Sequence, residues 1–157
     1  MKKVLFSLGL VSALVLPALA QATPVTLTTQ LKNYGGDGAY LAIYLTDAQG
    51  AYQKTLWVSG KKSKYYKNLR DWARGSKLKA SEYDGISGAS VLAGRTLEVT
   101  VDLADNLIDA GYEIRIDTAV EDGRDGPAEV RASLTTEGAG KATTGRVYVQ
   151  SFTYQLP

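Results

Sequence analysis

Residues 39–46 read Ala-Tyr-Leu-Ala-Ile-Tyr-Leu-Thr. Leu41, Ile43 and Leu45 alternate with Tyr40, Ala42 and Tyr44. A period of two sends successive side chains to opposite faces of a sheet, so this stretch predicts a strand. Asp47–Gly50 supplies turn residues, and Tyr52–Val58 then alternates again, so 39–58 predicts a hairpin.

The same pattern recurs on both sides. Upstream, Val25–Lys32 (VTLTTQLK) places Val25, Leu27, Thr29 and Leu31 on one face of a half-buried strand, followed by a glycine-rich loop over residues 33–38. Downstream, Thr96–Leu103, Tyr112–Val120, Ala128–Thr135 and Arg146–Leu156 complete a set of seven. Ala104–Gly111 joins the first two of these as a polar hairpin loop, and Glu137–Gly145 separates the last two. Seven short strands with turns between them predict an all-β fold, a β-sandwich with Greek-key character.

One segment breaks the period. Across Lys61–Arg74, Tyr65, Leu69 and Trp72 fall at i, i+4 and i+7, with Tyr66 and Ala73 beside them. That spacing predicts a short amphipathic helix over Ser63–Arg74, capped by the Ser63 hydroxyl and ended by Gly75. Lys67 and Asp71 then stand at i,i+4 on its outer side. Tyr83–Gly94 reads as a glycine- and serine-rich loop.

The N-terminus carries an address. Lys2 and Lys3 precede an apolar run from Val4 to Leu16, and Ala18-Leu19-Ala20 follows Pro17. A charged start, an apolar centre and a small-x-small end predict a secretory signal over residues 1–20, cleaved after Ala20, with a single domain over 21–157. The run is shorter than the ~20 residues of a spanning helix, so export and not membrane anchoring is expected. The mature chain then has no predicted membrane span.

Loss of Lys2 and Lys3 leaves 16 of the 18 basic residues against 16 acidic ones. A formally neutral chain argues against nucleic acid as a partner. The charges are unevenly spread: residues 54–79 hold nine Lys/Arg with the single acid Asp71, whereas 80–129 is rich in Asp and Glu.

Several chemistries are closed to this composition. There is no histidine and no cysteine, and the single methionine is Met1. Ser-His-Asp or Cys-His catalysis is impossible, as are metal or haem sites built on His, Cys or Met. Carboxylates on the strands, including Glu98, Asp102, Glu113 and Asp117, alternate with apolar residues and are expected to face water. The acidic turn Glu121–Asp125 lacks the alternating acids and distal glutamate of a calcium loop. The expectation is a non-catalytic protein without a cofactor or metal.

Leu56-Trp57, then Tyr65, Leu69 and Trp72, then Ile86-Ser87-Gly88-Ala89-Ser90 form an ordered series. Val99–Asp102, Ala104–Ala110 and Gly111-Tyr112-Glu113-Ile114 continue it. In order and spacing this resembles the periplasmic family catalogued as domain of unknown function 2271. The strand, loop and Gly-Tyr pattern is also similar to immunoglobulin-like domains of flagellar hook-capping type. Together with the signal, the resemblance implies a periplasmic location, and it implies an immunoglobulin-like sandwich without an assigned activity. Family members tend to be encoded near PepSY-type membrane proteins and flavin-attachment enzymes, which implies an accessory role beside a membrane redox or iron-uptake partner. Many members carry a histidine in the acidic turn, and Glu121-Asp122-Gly123 has none.

Two binding surfaces follow from the residues. The first docks an envelope or inner-membrane protein through the basic helix and the loop after it, with Lys64, Lys67, Arg70, Ser87, Gly88 and Ser90 in contact. The second stacks carbohydrate or another small ligand on aromatic rings. Tyr65, Tyr66 and Trp72 are its platform, and Trp57 is a further aromatic candidate; against this, Phe152 is the one phenylalanine beyond the signal, so core packing is the favoured reading of Trp57 and Trp72.

Overall fold

In the computed structural model, which describes residues 21–157, the 39–46 stretch becomes the middle strand of the larger of two sheets. The strands are β1 (Ala22–Leu31), β2 (Tyr40–Thr46), β3 (Tyr52–Ser59), β4 (Ser87–Gly88), β5 (Thr96–Ala104), β6 (Glu113–Ala119), β7 (Gly126–Ser133) and β8 (Val149–Gln155). One sheet runs β5-β1-β8 and the other β4-β3-β2-β6-β7, so the protein is an all-β sandwich with a small helical insertion. The proposed signal segment lies outside the described residues.

The core between the sheets is the one the alternation predicts. Leu41, Ile43 and Leu45 of β2 meet Val25, Leu27 and Leu31 of β1, with Ile114, Ile116 and Phe152 filling in. Each such side chain, fully buried, stabilises the fold by about 1.5–3 kcal/mol. Between β2 and β3 the register shifts: Ile43 pairs with Trp57 but Tyr44 with Thr55. The extra residue, Leu56, therefore joins Trp57 on the core side.

The second face of β2 is also covered. Ala42, Tyr44 and Val58 on the outside of the five-stranded sheet pack under Tyr66, Leu69 and Trp72 of the helical segment. This third layer explains why 39–46 is apolar on both faces.

That layer departs from the sequence expectation. In place of one helix there is a 3-10 helix over Ser63–Asn68 and then α1 (Arg70–Ser76), interrupted at Leu69 with φ −83° and ψ 77°. The buried residues Tyr66, Leu69 and Trp72 are spaced by three, and the break turns Leu69 into the second core. Ser63 caps nothing; Lys62 precedes the 3-10 helix without a side-chain cap bond. Gly75 lies within α1, where a Cβ would sit 2.4 Å from Cβ of Tyr52, so it serves close approach to β3. Lys67 and Asp71 form no ion pair; Asp71 binds Arg74 at 3.4 Å.

The cap for α1 comes from another strand. Asp117 of β6 accepts the N–H groups of Asp71 (2.7 Å) and Trp72 (2.8 Å), two of the donors left over at a helix start. It also accepts the Tyr44 hydroxyl at 2.8 Å and the Ala128 N–H at 2.7 Å. Asp117 is fully buried, contrary to the expectation that it faces water. Glu98 and Asp102 do face solvent, and Glu113 pairs with Arg115 at 2.9 Å.

Two connections also differ. β5 and β6 lie in different sheets, so residues 105–112 cross the sandwich and do not form a hairpin. Ser87–Gly88, expected as loop, pairs in parallel with Val58 and Ser59 as the eighth strand.

Candidate functional site

A cleft of about 570 Å³ opens where β2 begins. Its floor is Tyr40, and the loop carrying Asp37 and the turn over residues 120–125 form one side. The 3-10 helix supplies the other side through Tyr65 and Asn68, together with Lys62 just before it, and Ser90 closes the end. Tyr40 is held by its neighbours: its ring meets Tyr65 edge-on at 5.8 Å, and its hydroxyl accepts the Lys62 N–H at 3.1 Å. Such an aromatic pair adds about 0.5–1.5 kcal/mol beyond its buried area. Gly60, at φ +125°, makes room for it, since a Cβ there would fall 2.3 Å from the Tyr40 ring.

Opposite charges meet around this cleft. Asp37, Glu121, Asp122 and Asp125 line it, with Lys62 as the lining cation. Arg70 Nε donates to Asp125 at 2.8 Å and ties α1 to the acidic turn. An exposed pair of this kind is worth about 0.2–1 kcal/mol, so it orients the turn without anchoring it. Lys64 Nζ stands 4.9 Å from the Tyr65 ring centre, a cation–π contact. Among the described residues no group of three or more carboxylates converges as a metal ligand set.

The structure divides the sequence-derived site residues. Tyr65 and Ser90 line the cleft and Lys64 stands against the Tyr65 ring, while Lys67 is exposed on the helical layer and Arg70, also exposed, reaches Asp125 of the cleft wall. Ser87 is exposed on β4, next to the half-buried Gly88. Trp57 is half-buried; its indole N–H donates to Ser59 Oγ at 3.1 Å. A Cβ on Gly88 would lie 2.8 Å from that indole, so this glycine serves packing.

The aromatic platform is corrected. Trp72 is 0 % exposed, its indole N–H donates to Thr55 Oγ1 at 2.9 Å, and its ring packs edge-on to Tyr66 and Tyr83. Tyr66 is buried and its hydroxyl donates to the Gly60 carbonyl at 2.7 Å. Burial, then the neighbouring Tyr40 and Tyr83, raise the Tyr66 pKa, against the lowering effect of a hydrogen bond with Ser87, so the hydroxyl is neutral at physiological pH. Of the three rings only Tyr65 reaches a surface a ligand can touch, because the other two face the sheet. In Trp57→Phe, Trp72 is the one remaining tryptophan, and its emission is expected to be blue and nearly immune to acrylamide quenching. A red, quenchable emission contradicts the buried placement.

Sequence reasoning missed Tyr40 as the cleft floor. Its signal is the Tyr40, Ala42, Tyr44 face of β2, which demands a cover that the two-sheet reading does not supply. No helix among the described residues is long and apolar enough to cross a membrane. No curated protein and no solved structure matches the chain. Residues 22–151 match the family described as predicted periplasmic protein (DUF2271), and the chain belongs to that family.

Proposed function

We propose that this is a non-catalytic, immunoglobulin-like accessory protein of the periplasm that docks another envelope protein through the cationic face of its helical layer. The carrying observation is the exposure of Lys61, Lys62, Lys64, Lys67, Lys77 and Lys79 on that one layer. Among the described residues, only Arg70 and Arg74 of its cations engage a carboxylate. Solvated lysines held on a rigid layer create a field that steers an acidic partner surface into contact. The layer is rigid because its inner side is the second hydrophobic core. The membrane redox or iron-uptake setting implied by the family resemblance defines the first partners to try.

Simultaneous Lys64→Glu, Lys67→Glu and Arg70→Glu substitution is expected to abolish co-purification with the envelope partner. The melting temperature should move by no more than about 3–4 °C, because exposed substitutions change stability little and the Arg70–Asp125 pair is weak. Wild-type capture should itself weaken as added salt shortens the screening length below its value of about 8 Å at physiological ionic strength. Unchanged recovery by the reversed variant removes this surface from the account.

A second reading, small-ligand binding, rests on the cleft itself, which Tyr40 and Tyr65 line together with the acidic groups. It is separable from docking: Tyr65→Ala should impair ligand binding there while leaving the lysine-dependent co-purification intact.

A further inference from the structure

β5 is the free edge of the three-stranded sheet. On one side it pairs with β1 in an unbroken register from Ala22↔Ala104 to Gln30↔Thr96, and among the described residues no strand pairs with its other side. The Leu31 N–H donates to the Arg95 carbonyl and the Asp105 N–H to the Gln21 carbonyl, one at each end of that ladder. Hydrogen-bonded pairs alternate along an antiparallel ladder, so the odd-numbered residues of β5 bond to β1. The N–H and C=O groups of Thr96, Glu98, Thr100 and Asp102 therefore point away from it, and none has a backbone partner among the described residues.

Sheet edges are commonly blunted by proline, lysine or a bulge, and β5 has none of these. The core beneath it is also incompletely covered. Leu97, Val99 and Val101 pack against the core but stay half-buried, whereas Val25 and Leu27 on the neighbouring β1 are 0 % exposed. One more strand would bury them further.

The charges select the occupant. Glu98 and Asp102 are exposed on the outer face of β5. In the centred two-fold pairing of β5 with a second copy, Glu98 of one copy lies opposite Asp102 of the other. A shift of the centre by one residue sets Glu98 or Asp102 diagonal to its own counterpart. Like charges so placed disfavour self-pairing, and the same carboxylates favour a basic strand.

We infer that β5 binds an extended segment of another protein, antiparallel to itself, with Lys or Arg four residues apart opposite Glu98 and Asp102 and β-branched residues on its inner face. Backbone hydrogen bonds hold the added strand, and the paired charges set its register. This site does not rest on the docking reading. The helical layer covers the other sheet and is basic where this edge is acidic, so an adduct from position 98 is a protein other than the one docked there.

The test is titration of the mature protein with the peptide acetyl-Ser-Lys-Val-Thr-Val-Lys-Ser-amide, followed by amide NMR shifts and hydrogen exchange. Saturable binding is expected, with exchange slowed at Glu98, Thr100 and Asp102 and unchanged at Leu97, Val99 and Val101, whose N–H groups already bond to β1. Replacing both peptide lysines with glutamate should weaken binding at least about tenfold, because two attractive cross-strand pairs become repulsive. Glu98→Lys with Asp102→Lys should reverse that preference. Absence of saturation, equal binding of the two peptides, an unreversed preference in the folded double variant, or protection that does not alternate each overturns the proposal. Alternating protection that appears on concentrating the protein without peptide also overturns it, since the edge is then a contact between copies. If the double variant does not fold, Thr100→Pro removes one outward N–H at an edge that tolerates proline, and normal binding by that variant overturns the proposal equally.

Discussion

Asp117→Ala is expected to destabilise the protein by about 4 kcal/mol, lowering its melting temperature by about 10–15 °C. The substitution leaves four donors without their acceptor: the N–H groups of Asp71, Trp72 and Ala128 and the Tyr44 hydroxyl. Each buried donor so orphaned costs about 1–3 kcal/mol, reduced where water can enter the space. Thermal unfolding of the purified variant measures the loss. A fall of less than about 3 °C contradicts the role of Asp117 as the cap of α1.

The same residue sets a pH dependence. Burial raises the Asp117 pKa, and the N–H groups of Trp72 and Ala128 and the Tyr44 hydroxyl pull it back without cancelling the rise. The native state therefore holds this proton more tightly than the unfolded chain does. The stability it contributes is full below about pH 4, the ordinary carboxylate value, and is lost as pH rises through the raised native value. Asp109 works in the opposite sense: hydrogen bonds from the Thr136 hydroxyl and N–H lower its pKa, so its contribution disappears as pH falls. Comparison of wild type with Asp117→Asn isolates the first effect, and the deficit of the variant should narrow as pH rises above about 4.

Glu129→Ala is the second large effect, with an expected loss of about 3 kcal/mol. Glu129 is buried on β7 and accepts the Thr118 hydroxyl at 2.6 Å and the Val147 N–H at 2.6 Å. The Tyr148 N–H reaches it at 3.0 Å and the Val149 N–H at 3.3 Å. One side chain thus holds the segment that enters β8. The packing is tight enough that a Cβ on Gly145 would lie 2.8 Å from Glu129 Oε2. Hydrogen exchange should accelerate first at Val147–Val149 in the variant, ahead of global unfolding. Uniform acceleration across both sheets contradicts a local clamp.

These two residues mark where sequence reasoning stops. Period-two alternation identified the core strands because each strand's own side chains carry the signal, as at Leu41, Ile43 and Leu45. The helix break at Leu69 carries none locally: its cause is Asp117, 46 residues from Asp71, and alternation placed that aspartate on a solvent face. Glu129 is equally silent, since its partners are mostly backbone N–H groups without sequence identity. Two-residue pairing at Ser87–Gly88 is too short to show a period. At the candidate site, the cationic residues were readable from composition, and all of Lys64, Lys67 and Arg70 lie exposed. Burial of Trp72 was the favoured reading, since one phenylalanine leaves the core short of rings, but that of Tyr66 was not legible, because helical spacing shows which residues share a face but not what that face meets.

The docking claim is tested most directly by site-specific photo-crosslinking in intact cells. A photoreactive residue at position 64 or 67 probes the helical layer, and one at position 98 probes the exposed outer face of β5 in the other sheet. The account predicts one recurrent envelope adduct from positions 64 and 67 that is absent from position 98 and is lost when the remaining lysine and Arg70 are reversed to glutamate. Adducts recovered equally from all three positions, or none from the helical layer while position 98 gives one, would contradict it.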